Sequence, residues 1–409
     1  MKVLISGGGI AGPAVAFWLR RFGFEPTVVE IAPGPRPGGQ TVDLRGVSPT
    51  VAERMGIMPE VAARQLPERG LEYVRADGSR AAAMSMEALG GAGPVAEIEI
   101  LRGDLAAILA GVTEDVEYRY DDSIVELDQD ASGVSVTFAS GTTERFDLVI
   151  GADGVHSRVR RLAFGPEPEF VQHLGGYTSY FTVETPAPLN DWMKLYSAPR
   201  GLWVGLRPDH DPRYAKALLS FRSPVLSYDR RDVDAQKELV RQRFAGLGWH
   251  TAHILEGLRE ADDFYLDTIS RVVVPQWSRG RVALVGDAGY CGSPMAGHGT
   301  ALSLVGAYVL AGELAAAQGD HGRAFPAYQA RMQAYVKQRM ELPPGGIKLA
   351  MPMTAFGIGY RNLMLRVMTS RPLIGVLAKM TVAKPDAIDL PEYSVERGDP
   401  VRVPAEEAE

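Results

Sequence analysis

The sequence predicts an α/β fold: one domain on a parallel sheet, a second on a mixed, mainly antiparallel sheet, and a helical C-terminal segment. Three observations predict it. Residues 2–30 pattern as strand, glycine turn, helix and strand. Two later apolar runs, at 146–160 and 281–299, each end in a turn rich in Gly and Asp that opens a helix. Between them, from about residue 166 to 275, apolar and polar residues alternate as in antiparallel strands.

The first unit begins with Lys2 to Ser6, an apolar run suited to a buried parallel strand. Gly7-Gly8-Gly9-Ile10-Ala11-Gly12 follows and matches G-x-G-x-x-G. Pro13 suits a first helical turn, Ala14 to Phe22 continues as helix, and Gly23 can end it with a left-handed cap. The next strand, Pro26 to Glu30, ends in an acid about twenty residues beyond the glycines. This is a Rossmann-like pattern, and each part has a physical task. Gly7 permits a tight turn, Gly9 lets a pyrophosphate approach the backbone, and Gly12 lets helix and strand pack closely. Unpaired N–H groups at Ile10 and Ala11 open the helix, where its dipole favours phosphate. Glu30 can accept both hydroxyls of a ribose.

Two further segments point to FAD as the dinucleotide. The first runs from Phe146 through Gly151-Ala152-Asp153-Gly154 to Arg160, an apolar strand, an Asp-Gly turn and a basic helix start. The second is Arg281 to Ala288, a strand ending in Gly286-Asp287. Pro294 to Gly299 then opens a helix to about Ala317, with Ala301, Gly306, Ala307 and Gly312 suited to close packing.

On these residues the chain resembles the para-hydroxybenzoate-hydroxylase-like class of flavoprotein monooxygenases, and within it the compact tetracycline-inactivating and polyketide-tailoring members. The glycine, Asp-Gly and Gly-Asp motifs recur in that class in this order, and the matching framework covers most of residues 1–330. The resemblance implies non-covalent FAD, NADPH or NADH as a transient reductant, and O2. It implies hydroxylation of an aromatic or polyketide-like molecule through a flavin C4a-hydroperoxide. Asp287 then matches an aspartate on the ribityl chain, and Arg102 an arginine along the ribityl and phosphate region. Asp43 matches a flavin-contacting aspartate, Arg36 an arginine near the isoalloxazine and nicotinamide, and Asp153 the Asp-Gly motif associated with pyrophosphate and NAD(P)H. Backbone donors at Gly297 and Gly299 would face the flavin N1 and O2 edge. Plainer readings stand beside these: Asp287 as a helix N-cap, Arg36, Asp43 and Arg102 as solvated charges.

The resemblance divides the chain into a discontinuous FAD-binding domain (1–165 and 276–325), a substrate-binding domain (166–275, with part of 70–95), and a C-terminal helical segment and tail (326–409). Within the substrate domain, a helix is expected at Val233 to Phe244. Tyr177, Phe181, Trp192, Tyr196 and Trp203 either line a pocket or fill the core, and core is the better reading for each. His321 to Glu341 patterns as a long helix, and residues 342–382 are apolar, rich in Met and broken by Pro and Gly.

The sequence departs from the family at one place. Gly-Gln-Gly-x-Asn is the usual pattern; here Gly297-His298-Gly299-Thr300-Ala301 stands instead. His298 reads as a packing replacement or a proton donor. A flavin dehydrogenase or reductase, and a silent FAD-binding scaffold or sensor, fit the same motifs. Flavin halogenases are disfavoured because the five tryptophans form no Trp-x-Trp. A second glycine fingerprint is absent, since Gly357-Ile358-Gly359 lacks the third glycine. Cys291, the only cysteine, is either a covalent flavin tether or a packing thiol; it excludes a disulfide framework and fits a cytoplasmic compartment. A formal net charge of −7 argues against nucleic acid as a partner. No cleavable leader or membrane span is expected, and the seven scattered histidines suggest no metal site. A monomer and a homodimer both remain open.

Overall fold

The computed structural model describes residues 1–35, 38–89, 95–342, 345–370, 373 and 386–393. Strand Lys2–Ser6 lies inside a six-stranded sheet. Its parallel neighbours are Glu25–Val29 and Leu148–Gly151, which pair onward with Glu117–Arg119 and Val282–Leu284. The short strand Ser278–Arg279 closes one edge in antiparallel pairing. Val3, Leu4, Ile5, Leu148, Val149, Ile150, Ala283 and Leu284 are all buried. They are the continuous apolar runs that a sheet covered on both faces requires.

Helix Ala11–Arg21 packs on this sheet beside helix Gly299–Ala316. The latter has 18 residues and a mean hydropathy of 1.4, long and apolar enough to cross a bilayer, yet 83% of it is buried inside the protein. It is a core helix, and its small residues show why. A Cβ on Gly306 would run into the Tyr290 hydroxyl, and one on Gly312 into the Tyr393 ring. Helix His321–Arg339 packs against it, opened by Asp320, whose carboxylate accepts from Arg323 N. Tyr328, Met332 and Tyr335 are buried, as their spacing predicts.

The second sheet has eight strands, in the order Tyr290–Cys291, Tyr265–Val273, Val171–Glu184, Tyr214–Arg222, Leu202–Pro208, Trp192–Ala198, Gly70–Val74 and Arg80–Ser85. Its pairings are antiparallel except that of Trp192–Ala198 with Gly70–Val74. The strand Val171–Glu184 is longer than its alternation suggests, because a register shift between His173 and Tyr177 carries it through Gly175 and Gly176. Side chains alternate across the sheet. Tyr177, Phe181, Ala217, Leu219 and Phe221 bury themselves with Val240, Phe244, Ile254 and Leu258 of helices Val233–Phe244 and Thr251–Glu260. Tyr177 and Phe181 are therefore core, not pocket. The opposite face carries Thr178, Tyr180, Lys216, Arg207 and Asp267, set side by side by the register.

Helices Gly346–Ala350 and Ala355–Met368 follow, the second against the strands Arg80–Ser85 and Trp192–Ala198. Gly357 and Gly359 lie inside this helix. The tail beyond Tyr393 and Met380 fall outside the described residues.

Candidate functional site

The glycine turn has the geometry its spacing demands. Gly7 has φ +111° and donates to Val29 O at 2.8 Å, and any Cβ there would strike Ala152 O. A Cβ on Gly12 would run into the carbonyl of Gly7. At Gly9 a Cβ would sit 3.1 Å from the Arg102 guanidinium, so this bare backbone opens onto a cation. Glu30 follows its strand, with Oε2 accepting from Gly8 N at 2.6 Å and Oε1 from Ala32 N at 2.9 Å. The backbone thus fixes the carboxylate beside the turn, and a carboxylate has further lone pairs to offer. Ile10 provides no side-chain cap to helix Ala11–Arg21, so its first N–H groups keep their partial positive charge.

The Gly-Asp motif forms a short 3-10 turn, Gly286–Ala288. Gly286 has φ +62° and lies against Ala11 and Ser303, tying the turn to helices Ala11–Arg21 and Gly299–Ala316. Asp287 Oδ1 is buried with no hydrogen-bond partner among the described residues. Burial pushes its carboxyl up, while the nearby Cys291 thiol and Arg102 guanidinium pull it down. The position of a Gly299 Cβ is 3.8 Å from this oxygen, and that of a Gly297 Cβ is 3.9 Å from Asp43 Oδ2. The start of helix Gly299–Ala316 therefore stands between two carboxylates. Its N-cap residue His298 makes no cap bond, and its Nδ1 is likewise buried without a partner. Burial, with help from Arg339 and Arg45, lowers His298 to about 4. At neutral pH it is an uncharged imidazole, which supports the packing reading over a cationic proton donor.

The remaining sequence candidates divide. Asp43, in strand Thr41–Leu44, pairs with Arg45. Arg102 begins helix Arg102–Gly111, and its N–H donates to Gln40 O at 3.0 Å. Asp153 is spent inside the chain: its carboxylate accepts from Ser157 Oγ, from Arg158 N at 2.8 Å and from Val159 N at 3.2 Å. It holds the start of helix Arg158–Ala163. Arg36 lies outside the described residues.

The inner face of the large sheet adds groups that no motif announced. Arg207 donates to Glu68 through two bonds of 2.9 Å and to Glu99 at 3.1 Å. Burial pushes Glu99 up to about 7, against the pull of Arg207. Glu99 is paired in register with Asp43, so this network lies behind strand Thr41–Leu44. Lys216 reaches Asp209 at 3.0 Å and Thr182 Oγ1 at 2.7 Å, close to the Gly38 turn. His156, in the Asp-Gly turn, bridges Asp267 at 3.0 Å and Glu167 at 3.1 Å. Burial pulls this imidazole down, but the two carboxylates outweigh it and hold it above its ordinary range. Tyr265 donates to Asp267 at 2.7 Å. Three ionic clusters thus line the inner face of the large sheet, and the one at His156 ties it to the Asp-Gly turn of the other sheet.

The model for the FAD binding domain matches residues 1–343. The chain belongs to the FAD binding domain family, and it is a flavin-dependent monooxygenase by type. A flavin-dependent monooxygenase of Legionella longbeachae is 42% identical, over 82% of this chain and 86% of the relative. An FAD-dependent monooxygenase of Sarocladium schorii is 38% identical, over 79% of this chain and 78% of its own length. Among solved structures, tetracycline destructase Tet(51) aligns with a TM-score of 0.78 at 35% identity, covering 96% of this chain and 99% of its own.

The residues of this FAD-binding family member fit the cofactor on their own terms. A polar ligand is what the orphaned Asp287 oxygen, the bare turn beside Arg102 and the uncapped helix starts have in common. Cys291 is a poor tether. It is buried in strand Tyr290–Cys291, and burial, then Asp287, push its thiol well above the ordinary range. A thiol that stays protonated is a weak nucleophile.

Proposed function

We propose that this enzyme uses NAD(P)H and O2 to hydroxylate an aromatic or polyketide-like molecule held between bound FAD and the inner face of the large sheet. The observation that carries the reading is the unpartnered, buried Asp287 Oδ1 at the open end of helix Gly299–Ala316. It is an acceptor atom for which the described residues supply no hydrogen-bond donor. The likeness to a tetracycline destructase supports the substrate class.

Bound FAD, once reduced, supplies the activation of O2. The chain's own residues bind and orient. Gly7, Gly9 and Gly12 keep the turn bare, and Ile10 and Ala11 offer backbone N–H groups to the pyrophosphate. Glu30 takes the ribose hydroxyls. Asp287, positioned by Gly286, and Arg102 hold the ribityl chain. Asp43 lies by the ring, and Gly297 and Gly299 open the helix whose positive end favours negative charge there. Arg36 is assigned to the same region on resemblance alone. Asp153 acts at one remove, by holding the Asp-Gly turn. Trp203 and Leu218, half-buried on the inner sheet face, give apolar area on which a flat molecule can lie. We place the working enzyme in the cytoplasm, where a lone buried thiol meets no oxidising pressure.

The test begins by screening phenols and fused-ring polyketides for stimulated NAD(P)H oxidation. Turnover of a hit under 18O2 should add one heavy oxygen atom to the product. Label arriving from water instead, without later exchange, would overturn the monooxygenase reaction for that substrate class and leave the FAD site standing.

A further inference from the structure

The helix Ala355–Met368 is amphipathic the wrong way round. Its inner side is fixed by a buried cation: Arg361 is 4% exposed, lies 4.0 Å over the Tyr73 ring, and donates to Ser197 Oγ at 2.9 Å and Ala350 O at 2.8 Å. Leu365, one turn on, packs on the same small core. The outer side is apolar. Phe356, Tyr360, Leu363 and Val367 follow at helical spacing and are 83%, 54%, 57% and 44% exposed. A surface helix of a globular protein turns polar residues outward. This one cannot roll over to hide its stripe without breaking the bonds of Arg361. Leu349 and Met353 extend the exposed apolar area into the preceding turn and helix, whereas exposed apolar side chains elsewhere in the described chain are scattered.

Charge says what would cover it. Residues 342–385 hold six Lys and Arg and no Asp or Glu, in a chain whose formal net charge is −7. We propose that the outer face of the helices Gly346–Ala350 and Ala355–Met368 docks on an anionic lipid surface. Of the six cations, Lys348 and Arg366 stand exposed beside the stripe, Arg361 is turned inward, and Arg371, Lys379 and Lys384 lie outside the described residues. Outward apolar side chains flanked by exposed cations, in a stretch without acids, are the composition of a segment that lies in a membrane interface without crossing it. A second copy of this chain is the poorer occupant, because a two-fold contact through this face would set its cationic segment against itself. The docked helix rests on the inner-sheet region around Tyr73 and Ser197, so a lipid-dissolved apolar substrate would arrive at that end of the molecule.

The experiment is flotation of the FAD-loaded full chain with vesicles. One set is phosphatidylcholine, and the other also contains about 30% phosphatidylglycerol. The protein should float with the anionic vesicles roughly tenfold better than with the neutral ones, and less well in about 0.5 M salt. The double variant Phe356→Ser/Leu363→Ser should lose roughly tenfold or more in partition while keeping its flavin absorbance. Should that variant fold poorly, Lys348→Glu/Arg366→Glu reverses two charges and leaves the apolar stripe intact, and it should still lower binding to the anionic vesicles. Failure of the parent protein to float with anionic vesicles overturns the proposal. So does binding that neither variant alters, or a lipid-free dimer that Phe356→Ser/Leu363→Ser dissociates.

Discussion

Asp287→Ala separates a ligand-binding carboxylate from a structural one, because the two roles predict opposite effects on the free protein. Asp287 Oδ1 makes no hydrogen bond among the described residues, and burial pushes the carboxyl up. The charged side chain is therefore a cost to the cofactor-free fold, and removing it should leave stability unchanged or raise it by up to about 1 kcal/mol. In the holoenzyme the same change deletes a charge-assisted hydrogen bond of about 1.5–3 kcal/mol. FAD affinity should fall roughly ten- to a hundredfold. Melting checks this independently. FAD at about a hundred times its Kd adds ~2.7 kcal/mol to the native state, and a tenfold weaker site leaves ~1.4 kcal/mol. Asp287→Asn keeps an acceptor without the charge and should lose about half as much, since charge roughly doubles such a bond. The assays are FAD titration by flavin fluorescence and thermal melts of the apo and holo forms. Unchanged FAD affinity, with an apo form weakened by more than about 1 kcal/mol, would refute the reasoning and make Asp287 a cap of its own turn.

Three further outcomes are expected. Acid precipitation should release all flavin as free FAD, in the parent and in Cys291→Ser alike, because the Cys291 thiol is held protonated; flavin that stays with the peptide would restore the tether. Glu99 has a native value of about 7 against an ordinary 4.5, so across that window the folded chain keeps a proton the unfolded chain has lost, and stability falls as pH rises. Glu99→Gln should flatten that slope in denaturant melts between about pH 5 and 8, and an unaltered slope would assign it to another group. Arg207→Ala should destabilise by about 3–5 kcal/mol, since it strands Glu68 and Glu99 in the interior, and a loss under about 1 kcal/mol would mean that water reaches both acids.

What could be read from the sequence was what depends on neighbours in the chain. Gly7, Gly12 and Glu30 were legible because the strand–turn–helix unit imposes their steric and hydrogen-bonding demands within thirty residues. Helix Val233–Phe244 was read from the sequence with the same bounds, and the structure adds its Asp232 cap. Asp153 was legible as a motif residue but not as a cap, although the signal was present: Ser157 four residues on, before a basic helix start, is where a capping network belongs. The pocket-or-core choice for Tyr177 and Phe181 needed one further fact, namely which face helices Val233–Phe244 and Thr251–Glu260 would cover.

The ionic wall was beyond sequence reading for a different reason. Arg207 meets Glu68 and Glu99 across 139 and 108 residues, and His156 meets Asp267 across 111. Alternation in the strands says that these charges share a face, but not that they find partners there. Glu68 comes from the stretch before strand Gly70–Val74 and Glu99 from strand Ile98–Leu101, and only His156 comes from a motif turn. At His156 the dependence runs both ways: the Asp-Gly turn neutralises the buried Asp267, and Asp267 helps to hold that turn. A substitution in the wall should therefore act on FAD through the fold, weakening affinity and stability together, whereas Asp287→Ala should weaken affinity alone. That difference in coupling, once measured, would assign Arg207, Glu68 and Glu99 to positioning the site and Asp287 to touching the cofactor.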